Sequence, residues 1–404
     1  MEKMFKKTIC ALALSTSFIG SANAEITLNG FATIGTGQVL SGESLYGYDD
    51  TIDYKPDSLV GIQVSSELGN GLGVTTQIIS RGSDEWDASF EWAYLSYDVN
   101  DDWRFLFGRQ RAPQKLYSDF VDVGYAYPWI TPPTGLYSPS FDSFDGIGSI
   151  YNFTLGHFDS NFHVMVGRTA DNPFGDDVVE SIDISNFMVG ALTLSDGFIT
   201  ARAAVGSRKA DVVIPGIDTV DGQPGLVAQW ESLALNPDLA ATGIDFAKIG
   251  NDIAINDNTM FYTAALKADF SHGFAVVEWE GNDYGDSLLG QSQNWYISGG
   301  VNITEKIVMF ATYGENITEV DSLESPDQAA GLGLDLLIIG SKAAMSDQLI
   351  DEKYYTLGAR WDFHDSAALK IEYTQLDDNQ VNPYVASDTE ADAKLVRLAL
   401  VTVF

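Results

Sequence analysis

Segments of about ten residues in which apolar and polar side chains alternate recur along this chain, and that period limits the fold more than any other feature. Alternation with a period of two puts one set of side chains on each face of a β-strand. Segment 258–270 is the clearest case. Met260, Tyr262, Ala264, Leu266, Ala268 and Phe270 share one face, while Thr259, Phe261, Thr263, Ala265, Lys267 and Asp269 share the other. Segments 295–303, 354–363 and 367–375 repeat the pattern. Their apolar faces often begin and end with an aromatic ring and are aliphatic or small in between. A soluble sandwich has little reason to place Trp and Tyr at the ends of a buried face. A lipid-facing strand has one, because aromatic rings sit at both membrane interfaces.

The pattern predicts sixteen strands, over 26–37, 58–68, 72–81, 88–99, 103–111, 147–155, 158–168, 183–195, 198–206, 258–270, 274–280, 293–303, 307–314, 354–363, 367–375 and 393–404. Seven of the connections are tight and carry turn chemistry, as in Gly69-Asn70-Gly71 and Asn100-Asp101-Asp102. The other eight are 38–57, 82–87, 112–146, 169–182, 207–257, 281–292, 315–353 and 376–392, and only 82–87 is short. Tight and long connections alternate strictly, so each kind belongs to one rim. Unpaired backbone groups are costly in hydrocarbon, so a spanning sheet must close on itself. The expected fold is therefore all-β: a 16-stranded antiparallel transmembrane β-barrel, with short turns on one side and long loops on the other.

Composition removes several alternatives. The 48 aromatic residues, 8 Trp, 18 Tyr and 22 Phe, argue against disorder. Beyond the first 20 or so residues there is no uncharged apolar run of about 18, the minimum for a spanning helix. With 57 acidic against 22 basic residues and a net charge of −35, the chain has the wrong sign for nucleic acid. Residues 1–24 read as a signal peptide: Lys3, Lys6 and Lys7, an apolar stretch, then Ala22-Asn23-Ala24, with cleavage expected after Ala24. Cys10, the only cysteine, lies within that leader, so the barrel domain 25–404 has no disulfide to stabilise it.

The leader, the first strand ITLNGFATIG, the stretch YLSYDVNDDWRFLFGRQRAP at 94–113, FDGIGSIYNF at 144–153 and the terminal VRLALVTVF together resemble the Gram-negative general porins. The resemblance implies a homotrimer of sixteen-stranded barrels in the cell outer membrane, with short periplasmic turns and long extracellular loops. It also implies that the third long loop, 112–146, folds into the lumen as a constriction. The partners it implies are outer-membrane lipid and lipopolysaccharide, the barrel assembly machinery that reads a terminal Phe404, and small hydrophilic solutes. No cofactor is implied.

The site of such a protein is a narrow point with charge arranged across it. Arg109 and Arg111 end the fifth strand, Lys115 follows, and Asp119, Asp122, Asp142 and Asp145 lie along the expected loop. Wall arginines opposite loop carboxylates would set a field across the pore; the same pairs would equally pin the loop to the wall. Arg109 and Arg111 share a face with Trp103, Phe105 and Phe107, which ought to meet lipid. A bulge at Gly108 would turn them inward, and the alternative is a position above the hydrocarbon. Alternation also puts Arg202, Lys267, Arg360, Lys370, Glu372 and Arg397 in the lumen. An acidic mouth favours cations and a basic wall favours anions, so both selectivities stay open.

The loop is rich in rings: Tyr117, Phe120, Tyr125, Tyr127, Trp129, Tyr137, Phe141 and Phe144. They suit a stacking track for saccharides or, more simply, a small core that keeps the loop folded. The acidic loops offer oxygen ligands for Ca²⁺ or Mg²⁺, though none has the spacing of a calcium loop. Catalysis is not expected: the four His sit at three turns and one strand, and no G-x-S-x-G is present. The readings that remain are a general diffusion porin, a substrate-selective porin for saccharides or anions, and a non-conducting barrel acting as a surface adhesin.

Overall fold

The computed structural model describes residues 25–137, 142–172, 179–379, 384 and 392–404. The expected leader, with its cleavage after Ala24, lies outside these residues, as does Phe141. Sixteen strands follow in order: β1 Ile26–Ser41, β2 Leu59–Gly69, β3 Leu72–Arg81, β4 Ala88–Asp98, β5 Trp103–Arg111, β6 Ser143–Leu155, β7 Phe158–Thr169 and β8 Ser181–Ser195 in the first half. The second half holds β9 Ile199–Val213, β10 Asn258–Phe270, β11 Gly273–Asp283, β12 Gln291–Thr304, β13 Ile307–Glu319, β14 Ile350–His364, β15 Ala367–Asp378 and β16 Ala393–Val403. Each strand pairs with its sequence neighbours, and β1 pairs with β16 to close the barrel. Closure is antiparallel, with Ile34 opposite Leu400 and Phe31 opposite Val403.

The faces divide as the alternation requires. Met260, Tyr262, Leu266 and Phe270 of β10 are exposed on the outside, while Phe261 and Thr263 are buried within. Trp279 stands opposite Trp295, and Tyr313 opposite Tyr355. Ring contacts at 5.5 Å (Trp295–Tyr313) and 5.0 Å (Tyr313–Tyr355) join them into an aromatic row across β11–β14. Trp361 and Phe363 mark the other end of β14, toward the tight turns. This outer face, an aliphatic band between aromatic rows, is the surface a bilayer solvates. No described helix is long and apolar enough to cross a membrane.

Several strands run further on the long-loop side than alternation suggests. β9 continues through Ser207–Val213, and β14 begins at Ile350. Above the hydrocarbon both faces of a strand meet water, so the period of two fades while the backbone ladder continues. One consequence corrects the expected loop 112–146: β6 begins at Ser143, so Phe144 and Asp145 belong to a strand and the loop ends at Asp142.

Helices form in the long loops: α1 Thr134–Tyr137, α2 Leu226–Ala234, α3 Pro237–Ala240, α4 Phe246–Asn251 and α5 Asp335–Ser346. Asn236 and Asp245 cap α3 and α4 by accepting from Asp238 N at 3.0 Å and Lys248 N at 2.9 Å. Trp230 of α2 is fully buried and donates its indole N–H to Ser341 of α5 at 2.9 Å. The fifth and seventh loops thereby share an apolar cluster with the upper wall, which includes Phe246, Ile249, Ile253, Ile338 and Met345.

Candidate functional site

A 31-residue loop inside a barrel has two problems: its rings need a core, and its backbone needs hydrogen-bond partners. The first is solved by an aromatic knot. Trp129 meets Tyr117, Tyr296, Phe310 and Phe274 edge to face, with centroids 5.5–6.3 Å apart. Tyr117, Tyr127 and Trp129 are all buried, and the Trp129 indole donates to Thr312 Oγ1 at 3.0 Å. These rings pack on one another and on the inward faces of β11–β13, so they are not laid out along the passage. Phe144 stands apart, stacked on Phe187 at 3.8 Å.

The second problem is solved by basic residues of the wall. Arg360 donates to the carbonyls of Tyr125 at 2.7 Å and Tyr127 at 2.9 Å. Lys370, fully buried, donates to the carbonyls of Gly124, Tyr127 and Trp129. Arg397 reaches Thr131 Oγ1 at 3.1 Å, Glu372 at 2.6 Å and Asp57 at 3.3 Å. Glu372 in turn accepts from Ile130 N at 2.6 Å. On the opposite flank Glu278 accepts from Leu116 N at 2.7 Å, Tyr137 Oη at 2.8 Å and Tyr296 Oη at 2.9 Å. Lys115 lies between the Leu136 carbonyl at 2.5 Å and Glu280 at 3.4 Å. Charge-assisted bonds of this kind are stronger than neutral ones.

A third anchor is ionic. Arg81 bridges Glu91 at 2.7 Å and Asp122 at 2.9 Å, and Arg111 bridges the same two acids at 3.1 and 2.6 Å. Ser143 donates to Glu91 at 2.9 Å. Burial pushes the Asp122 carboxyl up, but the Arg111 and Arg81 guanidiniums outweigh it and hold it below the usual carboxylate range. Glu91 faces inward because β4 carries a bulge. Gln77 pairs with Trp92 and Ile78 with Phe90, leaving Glu91 as the extra residue.

The two arginines of β5 separate. Arg111 points into the lumen. Arg109 stays on the outward face, whose neighbours Leu95, Phe107 and Ile147 are exposed, and there it meets Phe90 O at 2.6 Å, Asp145 at 3.7 Å and Asp171. The expected inward turn of Arg109, and the loop position of Asp145, are thus corrected. Gly108 does adopt φ +125°, and a Cβ there would stand 2.4 Å from the Ala93 carbonyl. Across the ladder Glu91 is turned inward out of step as well, and there it meets Arg111.

Lys267, half-buried on β10, pairs with Asp269 at 2.8 Å. Arg202 is buried on the inward face of β9, donates to Thr193 Oγ1 at 3.2 Å and lies 3.9 Å from Asp119, whose side chain is half exposed. The Asp142 carbonyl closes the base of the loop by accepting from Ala112 N at 2.7 Å. Phe404 is exposed, with its backbone exchanging bonds of 2.7 and 2.9 Å with Gly30. Sequence reading missed Arg81, Glu91 and Glu278. A lone acid between Phe90 and Trp92 was the one available signal for Glu91. Among the described residues no three His, Cys, Asp or Glu side chains gather closely enough to hold a metal ion.

Between the loop and the long-loop rim the lumen opens into a cavity of about 1180 Å³. Its charged lining includes Lys55, Asp57, Arg81, Asp122, Glu280 and Glu352. Most of this charge is paired, so the space is lined by fixed dipoles more than by free ions.

Solved structures share the fold at low sequence identity. OmpF of Salmonella typhi, solved in complex with daunomycin, aligns with a TM-score of 0.57 and 11% identity, covering 96% of this chain and 99% of its own. An anion-selective porin from Comamonas acidovorans aligns at 0.55 and 11%, covering 95% and 100%. OmpT, an outer membrane protein of Vibrio cholerae, in its trimer form aligns at 0.52 and 12%, covering 94% and 99%. No family model matches the chain, and no curated protein matches it. The architecture is that of the sixteen-stranded outer-membrane porin barrel.

Proposed function

We propose that this chain is a general diffusion porin of a Gram-negative outer membrane, a water-filled channel that passes ions and small hydrophilic solutes without catalysis. The observation that carries the reading is the section of the barrel at the third loop. Sixteen strands enclose more space than side chains alone fill, since barrels filled that way have about eight. The loop narrows this space while a wide, charge-lined cavity stays open above it.

The buried state of Tyr117, Tyr127 and Trp129 favours general diffusion over a saccharide track, because rings packed edge to face within a core present no stacking face to a sugar. The acidic total charge favours cations at the mouth. Arg109 beside Asp145 and Asp171, and Arg168 beside Asp183 at 3.1 Å, put charge on the outer rim at headgroup level, where lipopolysaccharide phosphates would lie. Phe404, exposed at the end of β16, suits recognition by the assembly machinery.

The test is conductance. Purified protein in a planar bilayer is expected to give stepwise currents, in groups of three if trimeric, with a reversal potential in a KCl gradient that reports cation preference. Silent membranes at high protein load would favour the non-conducting adhesin.

A further inference from the structure

At the long-loop ends of β8 and β9 the polarity of the two faces is reversed. Ile182 pairs with Val212 and Ile184 with Ala210. All four are buried, and Ile184, Ala210 and Val212 line the cavity, so this face is the inward one. Asp183 and Asp211, paired between them, are exposed on the outward face. In the spanning part of a strand the apolar residues face out and the polar ones face the lumen. Apolar side chains turned toward a water-filled lumen gain from any cover that takes them out of water. Here the cover is the fifth long loop. Trp230 of α2 and Phe246 and Ile249 of α4 belong to the same apolar cluster as Ile182, Ile184 and Val212. These helices therefore lie over the lumen and not over the lipid side of the wall.

Three contacts join the fifth loop to its neighbours. The Trp230 indole donates to Ser341 of α5, in the seventh loop, at 2.9 Å. Asp252, just after α4 and only 2% exposed, accepts from Ser325 Oγ of the seventh loop at 2.5 Å. Lys248 meets Asp252 at 2.7 Å and Asp286 of the sixth loop at 3.4 Å. Ile338 and Met345 of α5 complete the apolar cluster. The fifth loop joins β9 to β10 and the seventh joins β13 to β14, so this linkage crosses above β11 and β12. Tyr284 and Leu289 of the sixth loop and Gln348 of the seventh line the cavity. The other flank of the cavity reaches the surface along the first and second loops, where Lys55, Ser83 and Glu85 line it and are exposed.

We infer that the fifth, sixth and seventh loops form one fixed roof over the vestibule, pinned by Trp230, and that this roof is an outer size filter in series with the third loop. Ions and small solutes enter beside it, along the first and second loops. Flexible polymers and peptide chains are turned away before they reach the constriction. Long surface loops are mobile unless their own side chains pack them. The fifth loop is packed twice, on the inward faces of β8 and β9 below and on α5 beside it, and Trp230 takes part in both contacts. A large ring with a bonded N–H suits that position, since it supplies both buried area and direction. The filtering role rests on the channel reading; the roof itself does not.

Cysteine labelling reads the roof without a current, because no cysteine follows Cys10. Asn294→Cys places a thiol on the cavity wall at β12, beneath the roof, and Ser83→Cys places one at the exposed flank of the same cavity. Each folded, detergent-solubilised protein is reacted with N-ethylmaleimide and with a maleimide on a long polyethylene glycol chain. The ratio of polymer rate to small-reagent rate is expected to be at least tenfold lower at 294 than at 83. Trp230→Ala, or Ile249→Asp, which puts a charge into the same cluster, is expected to bring the ratio at 294 within threefold of that at 83. Both substitutions lie outside the barrel ladder, and resistance of the unheated barrel to SDS checks that it has folded. Equal ratios at the two positions with Trp230 and Ile249 in place would overturn the roof. Exclusion that persists at 294 in both variants would overturn it as well, and recovery in either one upholds it. A silent bilayer would overturn the channel reading, and the filtering of permeating solutes with it, while the labelling still decides the roof.

Discussion

Asp122 closes on two guanidiniums at once, Arg81 at 2.9 Å and Arg111 at 2.6 Å, and this makes the clamp on the third loop sensitive to acid. Its carboxyl is depressed in the folded protein, because those two cations outweigh the opposing effect of burial. A depressed carboxylate contributes its full stability above the unfolded value, about 3.9, and loses it as pH falls through the folded value. The clamp is therefore complete at neutral pH and opens only in strong acid. Single-channel noise from loop motion should be low from pH 7 to 5 in the wild type and rise below pH 4. Asp122→Asn should show that noise already at pH 7. Breaking a buried pair costs about 3–5 kcal/mol, and with Glu91 still between both arginines the lower end applies. A wild-type rise above pH 5 would contradict this account. The same cluster shows what a residue-level reading of sequence misses. Parity groups Arg109 with Arg111, and nothing in the local pattern announces that they part. The bulge that turns Glu91 inward lies on the neighbouring strand, so the partner that draws Arg111 into the lumen is set by cross-strand register.

The third loop owes its place to the wall as much as to its own rings. Lys370 alone serves three of its carbonyls, those of Gly124, Tyr127 and Trp129. Hydrogen bonds to a charged group contribute about 1.5–3 kcal/mol each. Lys370→Met, which keeps the stem and removes the donor, should weaken the segment Gly124–Ile130 by about 3 kcal/mol, or roughly a hundredfold in local opening, by this scale. Hydrogen exchange would read this directly: amides of that segment should speed up while those of β14 and β15 keep their protection. Equal acceleration across the wall would mean that the lysine holds the barrel and not the loop. Strands were legible because lipid on one side and water on the other enforce the period of two. The long-loop ends of β6, β9 and β14 were not, because above the hydrocarbon that asymmetry is gone. The loop's aromatic density was visible as well, and its bland reading as a local core matches the packing around Trp129. Its contact with Lys370 and Glu278 was not visible, since those residues lie more than a hundred positions away.

Around the whole barrel the outer surface is uneven. Strands β4–β6 and β10–β14 expose rings such as Phe90, Trp103, Tyr151, Tyr262, Trp279, Tyr355 and Trp361. The sector formed by β16, β1, β2 and β3 exposes aliphatic residues instead, among them Leu398, Leu400, Leu28, Ile34, Ile62, Val64 and Ile78, with Phe404 the one ring at its edge. Rings favour the membrane interfaces, so a lipid-facing surface is expected to carry them at both ends. A sector without them fits a neighbouring barrel better than lipid, and a homotrimer of the kind proposed would bury it. The absence of any cysteine after Cys10 makes the test clean. Single cysteines at Ile62, in the smooth sector, and at Leu357, on the lipid side of β14, can each carry a small fluorophore. Brominated lipids should quench the probe at 357 strongly and the probe at 62 at least threefold less. After the oligomer is dissociated in harsher detergent and returned to the same lipids as monomer, the probe at 62 should become as quenchable as the one at 357. Equal quenching at both positions in the native assembly would place lipid on the smooth sector, and the partner surface would have to lie elsewhere on the barrel.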